Sequence, residues 1–316
     1  MIIVKSPFRI SFFGGSTDYV DFYREHGSFI IGTTINKNTY LTIRKRPSIL
    51  SKESVITYSQ MQRVVKFEEI NNPLIREILK FKNINDYIEF NSFSDIPSRT
   101  GLGGSSSFCV GLLYLLNLLY ENKQTKIELI RDAINIERNI LNESGGIQDQ
   151  IWPVYGGLNT IEINKNGDIK VKPLSVTDEF KNELETSVVL IYTDEHREEK
   201  DIAKSHEEKN KKRILDIAIQ SHSYFLKEDI KSIGNLMYES WREKRNISNF
   251  ISSNKIDNIV NEVINMGAYG AKLLGSGGSG FVLVICDPIT KEKIKEKFKN
   301  KILEVNFNEK GVSQII

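Results

Sequence analysis

Residues 100–107 read Thr-Gly-Leu-Gly-Gly-Ser-Ser-Ser and run straight into an apolar stretch that continues to residue 120. That junction constrains the chain more than any other feature. Glycines without a Cβ let backbone N–H groups approach an anion closely, and a helix N-terminus adds partial positive charge. Gly101, Gly103 and Gly104 are therefore candidates to cradle an anion, and the hydroxyls of Ser105, Ser106 and Ser107 can donate to phosphate oxygens or reach a metal. A stretch at 105–120 that is apolar on nearly every face predicts a buried central helix. No Gly-Lys-Ser/Thr follows, so this is not a Walker A loop. No strand ends directly at Gly101, and Ser106 occupies the third-glycine position, which excludes a dinucleotide fingerprint. Taken alone, the segment also fits a flexible loop with a serine N-cap.

Burying such a helix requires a sizeable interior. The chain has 316 residues, room for two domains at a prior of roughly 150 residues each. Its 40% hydrophobic and 27% charged content is that of an ordinary folded protein. Lys+Arg 43 against Asp+Glu 41 leaves +2 with no basic block, which argues against a nucleic-acid partner. The apolar run 108–120 is shorter than the roughly 20 residues of a membrane span. The first residues lack a basic region followed by a cleavage site, so a cytoplasmic protein without a membrane partner is expected. Cys109 and Cys286 sit in apolar runs and read as small buried hydrophobes.

Strands are predicted at 2–4, 9–13, 39–45, 55–58, 63–67 and 87–90, interrupted by a helix at 73–81. A second helix spans 126–142, opened by the capping-box spacing Thr125-x-x-Glu128. Strands at 157–163 and 169–171 are joined by the hairpin turn Asn166-Gly167. The polar stretch 173–185 is the expected boundary, dividing the chain into 1–180 and 181–316. Beyond it a strand at 188–192 precedes helices at 198–226, 230–245 and 256–266, then strands at 271–274 and 281–285, a helix at 290–299 and a strand at 302–306. Mixed helices and largely antiparallel strands make the class α+β.

On the helix at 126–142, Ile130, Ala133, Ile134 and Leu141 share one side, with Arg131, Asp132, Asn135, Arg138, Asn139 and Asn142 opposite. Glu137 falls in the apolar stripe. An unpaired buried charge costs about several kcal/mol, so this carboxylate must be ion-paired or hold a metal. Asp149 follows a glycine pair, Gly145-Gly146, as a further metal ligand, a general base or simply an N-cap. A second glycine cluster, residues 275–280, separates two apolar strands and reads as a hairpin loop or a close backbone approach to a ligand. Arg9 lies inside an apolar strand followed by the polar tip Ser16-Thr17-Asp18. His26, His196, His206 and His222 lack a metal-ligand spacing.

Together these segments resemble the three ordered motifs of the galactokinase, homoserine kinase, mevalonate kinase and phosphomevalonate kinase family, the GHMP kinases. Pro7, Arg9, Gly14, Thr17, Asp18 and Tyr19 match the first motif. The loop at 101–107 matches the second, with Gly104 in place of its first serine and Ser105 matching its second. Residues 272–280, Lys-Leu-Leu-Gly-Ser-Gly-Gly-Ser-Gly, match the third. The resemblance implies an N-terminal domain like ribosomal protein S5 domain 2, a ferredoxin-like C-terminal domain, and ATP meeting substrate between them. It implies that Ser105 and Glu137 hold Mg²⁺, that Asp149 is the catalytic carboxylate, that Arg9 steadies the transferring phosphoryl group, and that Thr17, Asp18, Gly275 and Gly277 border the substrate.

Galactokinases carry Glu-His before Thr-Asp-Tyr, and Gly15-Ser16 stands here instead, which argues against galactose. The run Arg9-Ile10-Ser11-Phe12 with Gly14-Gly15-Ser16-Thr17-Asp18, and Gln148-Asp149-Gln150 with Tyr155-Gly156-Gly157, is similar to D-glycero-D-manno-heptose 7-phosphate kinases. That similarity implies phosphorylation of O1 of a sugar phosphate, the product serving GDP-heptose and surface glycans. The chain departs from the pattern at 193–197, where a Gly is expected after Thr193. A substrate phosphate needs fixed cations, and Arg197, Lys244 and Lys272 are the candidates. The alternatives are a fucokinase-like enzyme acting on an unphosphorylated sugar and a catalytically silent sensor. The sensor would be expected to lose Glu137 or Asp149, and both are present.

Overall fold

The computed structural model describes residues 1–49, 52–97, 99–195, 208–308 and 310–316. The chain begins with β1 (Ile2–Phe13), a short helix α1 (Val20–His26) and the long strand β2 (Ser28–Lys45). β1 and β2 pair antiparallel from Ile2↔Ile43 to Phe13↔Ile31. The two strand segments expected at 2–4 and 9–13 are therefore one strand, and the strand expected at 39–45 starts much earlier, at Ser28. β3 (Ser54–Thr57), β4 (Met61–Val64), α2 (Pro73–Phe81) and β5 (Ile88–Ser94) follow. α2 has the bounds its sequence predicts, because Asn72 caps it by accepting from the Ile75 N–H and Pro73 sits in the first turn.

The apolar helix α3 (Gly104–Leu119) lies across β1 and β2 and is buried as its composition requires. Ser107 Oγ donates to the Ser6 carbonyl at 2.8 Å, pinning the start of α3 to β1. α4 (Lys126–Ile134) opens with the predicted capping box but does not run to residue 142. It widens into a π turn, Asn135–Ile140, in which the Leu141 N–H reaches back to the Ile136 carbonyl. Such widening is frequent at functional sites. α5 (Gln148–Tyr155), β6 (Asn159–Ile163) and β7 (Ile169–Pro173) complete the first half. Among the described residues, the first sheet has nine strands: β1-β2-β5-β3-β4 in order, β6 on β2 with β7 on β6, and two short C-terminal strands described below. β3 and β5 run parallel.

The stretch expected to be a polar boundary holds α6 (Asp178–Ser187), which buries Phe180 and Leu184, four apart, under an otherwise polar surface. β8 (Val188–Tyr192), α7 (Glu208–Leu226), α8 (Ile230–Arg245), α9 (Asn254–Asn265), β9 (Gly270–Leu273), β10 (Phe281–Ile285), α10 (Pro288–Lys297) and β11 (Ile302–Leu303) follow. Residues 196–207 lie outside the described residues, and with them the expected start of the 198–226 helix. The second sheet is antiparallel in the order β11-β8-β10-β9. No helix among the described residues is long and apolar enough to cross a membrane.

The two halves are joined in two ways. One apolar cluster takes Phe8, Ile10, Phe12 and Phe13 from β1 together with Phe180, Phe225, Ile233 and Leu283 from the second half. In addition, β12 (Phe307–Asn308) and β13 (Ser313–Gln314) return to the first sheet, on β2 and β1 respectively. Both cysteines are buried, and burial pushes the Cys286 thiol up to about 12.

Between the halves, the two glycine loops lie backbone against backbone. A Cβ on Gly101 would stand 2.6 Å from the Leu274 carbonyl oxygen, and one on Gly275 would stand 2.5 Å from the Gly101 Cα. Both residues have φ of +76°, in the left-handed region that a side chain disfavours. Gly275→Ala combines overpacking with a left-handed strain, so it should lower unfolding stability by roughly 2–4 kcal/mol. Urea denaturation checks this, and a midpoint equal to the parent's rejects the close contact.

Candidate active site

A cleft of about 800 Å³ opens where the start of α3 meets β1, α5 and the loop after β9. β1 brings Arg9 to it through an irregularity: the β1–β2 register shifts between Pro7 and Arg9, where proline has no N–H for the ladder. The Arg9 N–H bonds instead to the Leu102 carbonyl at 3.0 Å, inside the glycine loop. Its guanidinium then makes a three-way junction. Nε and Nη2 donate to the two carboxylate oxygens of Asp149 at 2.9 and 3.0 Å, and Nη1 donates to the Gly101 carbonyl at 2.5 Å. A bidentate fork of this kind fixes orientation as well as charge.

Asp149 stands in the first turn of α5, and its two neighbours are as heavily used. Gln148 donates to Asp18 through its backbone N–H (3.0 Å) and its side-chain amide (3.1 Å). Gln150 donates to Glu137 and to Ser106. Three consecutive residues of one turn thus hold three separate groups of the cleft. Asp18 is buried, and burial pushes its carboxyl up from the usual carboxylate range against the pull of the Gln148 N–H. It fits only because residue 146 has no side chain: a Cβ there would lie 1.9 Å from Asp18 Oδ2. A carboxylate has about four acceptor sites, so Asp18 retains capacity for a further hydroxyl.

Glu137 is 1% exposed and borders the cleft. Its partners are neutral: Ser106 Oγ donates to Oε2 at 2.7 Å and Gln150 Nε2 at 2.5 Å. Among the described residues no lysine or arginine pairs with it. A buried carboxylate with no cation among the described residues, beside a hydroxyl in the first turn of α3, is a donor set suited to a hard divalent ion such as Mg²⁺. The hydroxyl beside Glu137 belongs to Ser106; Ser105, where the family resemblance puts it, is exposed. The reason is rotation, since about 100° of helix turn separates adjacent residues.

Of the other expected residues, Gly101, Gly103, Gly104 and Ser105 border the cleft, as do Lys244, Lys272 and Gly275. Ser107 does not: its hydroxyl is held by Ser6 and its N–H by the Gly103 carbonyl. Thr17 is turned into the interior, where it donates to the Gly14 carbonyl and shares a hydrogen bond with Ser28. Gly277 packs against Ile251 rather than the cleft. Arg197 lies outside the described residues. Away from the cleft, His26 bonds Glu208, which Lys212 also bridges, and His222 packs on Phe29.

Lys244 on α8 donates to the Gly275 carbonyl, and Lys272 on β9 donates to the carbonyls of Ser11 and Phe12 at 3.1 and 2.9 Å. Both are buried. Burial, aided by Arg9 nearby, lowers the Lys244 ammonium to about 8; burial with Lys244 and Arg9 drives Lys272 well below its ordinary range. Arg138, which sequence patterns put on the polar face of its helix, also reaches the cleft and donates to the Gly146 carbonyl at 2.8 Å. The signal for Gln148 and Gln150 was their position either side of Asp149, on a helix too short to show a period.

Residues 71–157 match the GHMP kinases N terminal domain and residues 221–303 match the GHMP kinases C terminal family. A D-glycero-alpha-D-manno-heptose 7-phosphate kinase of Campylobacter jejuni is 28% identical, the alignment covering 98% of either chain. A galactokinase of Pyrococcus furiosus is 24% identical over 93% of this chain and 90% of its own. A crystal structure of a D-glycero-D-manno-heptose 1-phosphate kinase from Bacteroides thetaiotaomicron superposes with a TM-score of 0.82 at 23% identity, covering 100% of this chain and 99% of the other. That likeness establishes a shared two-domain fold. The order of the motifs, the fold and both family matches agree: the chain belongs to the GHMP kinases and is a phosphotransferase that takes an alcohol group as acceptor.

Proposed function

We propose that the protein transfers a phosphoryl group from ATP to O1 of D-glycero-D-manno-heptose 7-phosphate. The observation that carries the reaction type is the Arg9–Asp149 pair locked to the Gly101 carbonyl, beside a helix N-terminus and a buried carboxylate, Glu137, that no cation pairs among the described residues. The 28% identity across nearly the whole length of the Campylobacter jejuni enzyme supports the heptose substrate.

The geometry supports a role for each group. The first turn of α3, ahead of Ser107, borders the cleft, and its N–H groups would hold the donor's phosphates. Glu137 and Ser106 would hold Mg²⁺, which when bound neutralises phosphate charge. Arg9 aims its guanidinium along the loop, so the transferring group and Asp149 meet in fixed register. Asp149 accepts and orients the proton of the acceptor hydroxyl, while Asp18 anchors a neighbouring sugar hydroxyl. Lys244, with Lys272 beside it, would offer hydrogen-bond donors and, while protonated, positive charge to a substrate that brings its own phosphate.

Asp149→Asn should reduce turnover by roughly 10²–10⁴-fold with Mg-ATP affinity nearly unchanged, whereas Glu137→Gln should weaken the Mg²⁺ dependence of nucleotide binding. Steady-state kinetics with calorimetry separates the two, and near-parental turnover in Asp149→Asn removes it from catalysis.

The lowered Lys244 ammonium gives a pH prediction with two opposite signs. The KM for the sugar phosphate should be flat between about pH 7 and 8, where the substrate phosphate is already largely dianionic, and rise above about 8, as the ammonium loses its proton. Lys244→Arg should abolish that limb, because the guanidinium stays charged. In the unfolded chain the lysine holds its proton to about 10.4, so between these values the unfolded state binds more protons and this residue's contribution to stability rises with pH. A KM limb that persists in Lys244→Arg assigns it elsewhere.

With Mg-ATP and a panel of acceptors, heptose 7-phosphate should give a kcat/KM at least about tenfold above that of the unphosphorylated heptose and of fucose, the factor expected from about 1.4 kcal/mol of phosphate contacts. Equal rates on the unphosphorylated sugar would replace this reading with a general sugar-1-kinase.

A further inference from the structure

Gln150 is fully buried in the first turn of α5, and its amide is used asymmetrically. Nε2 donates to Glu137 Oε2 at 2.5 Å and to Ser106 Oγ at 3.1 Å. The other half of the same amide, Oε1, is buried with no hydrogen-bond partner among the described residues. Buried polar atoms without partners are uncommon in native proteins and mark places where something other than stability is served. A methionine or leucine would fill the volume without leaving an orphaned acceptor. A glutamine kept there is kept for its N–H.

What that N–H does is readable from its target. Glu137 sits where the helix after α4 widens to a π turn, with no cation to hold its carboxylate among the described residues. Two neutral donors remain, Ser106 Oγ and Gln150 Nε2, and both reach the same oxygen, Oε2. Clamping one oxygen fixes the rotation of the carboxylate plane and leaves Oε1 as the atom to be presented. Ser106 is itself tied to Gln150, so one amide orients both groups that the proposed function assigns to the metal.

We infer that Gln150 is the positioning residue of the metal site: through its side-chain N–H it sets the orientation of Glu137 and Ser106 together, without touching substrate or ion. This rests on the reading of Glu137 as a metal ligand. Outer-sphere hydrogen bonds of this kind govern metal affinity about as strongly as some ligands do. Because Asp149 is the adjacent residue, one turn of α5 then sets both the acceptor carboxylate and the metal carboxylate.

The test is Mn²⁺ binding followed by electron paramagnetic resonance, with a non-hydrolysable ATP analogue present, on the full chain. Gln150→Met, which removes the donor and the orphaned acceptor together, should weaken Mn²⁺ by roughly 10–100-fold. Its metal-free melting temperature should stay near the parent's, and so should its affinity for the analogue without metal. Gln150→Asn keeps an amide but loses a methylene of reach, and should show the same loss should the methionine variant fail to fold. A packing role predicts the reverse, a lowered melting temperature with unchanged Mn²⁺ affinity. Mn²⁺ affinity within about twofold of the parent in the folded variants, with Glu137→Gln still impaired, overturns the inference and leaves the metal reading standing. If Glu137→Gln also binds Mn²⁺ normally, the metal reading falls and the inference falls with it.

Discussion

The Arg9 guanidinium is the joint on which the cleft depends. Its planar fork meets Asp149 with two parallel hydrogen bonds and the glycine loop with a third donor, so β1, the start of α3 and α5 are set relative to one another by one side chain. Arginine suits this because its donors are held in a plane and it stays charged across the whole working range. The ladder irregularity at Pro7 matters for the same reason. It lets the Arg9 backbone join the loop while its side chain reaches beyond it.

Several groups in the cleft are costly in isolation and tolerable only together. Lys244 and Lys272 are buried ammonium groups whose ordinary proton affinity is depressed, and each gives its hydrogen bonds to backbone carbonyls rather than to a carboxylate. Asp18 is a buried acid held by one glutamine. Such an arrangement resembles a binding surface preset for charge that arrives with a ligand, because preorganised charges need no rearrangement at the moment of reaction.

Much of this was visible in the residues, and what was hidden was hidden for definite reasons. The all-round apolar character of 105–120 announced a central helix, and the helix expected at 73–81 has the bounds of α2. α5 escaped because eight residues with Pro153 inside show no period, and α6 because two buried residues lie among charges. Glu137 was recognisable as buried, yet the π turn was not, since an extra residue in one turn leaves no mark on local composition. The choice between Ser105 and Ser106 depends on helix rotation, which a motif match does not encode. Thr17 and Gly277 have the right neighbours in sequence but face inward. Lys244 and Lys272 were candidates on charge alone, and only tertiary packing puts their ammonium groups beside Arg9.

The return of residues 307–316 to the first sheet has a consequence for how the molecule is made. The outer edge of β1 is covered by β13, whose residues are synthesised about 300 positions later. At the usual 5–20 residues per second that interval is roughly 15–60 s. Throughout it, the nascent first half carries an open strand edge and half of the shared apolar cluster, the combination that invites pairing with other chains. Closure of that edge of the first sheet is therefore separated from the synthesis of β1 by most of the described chain.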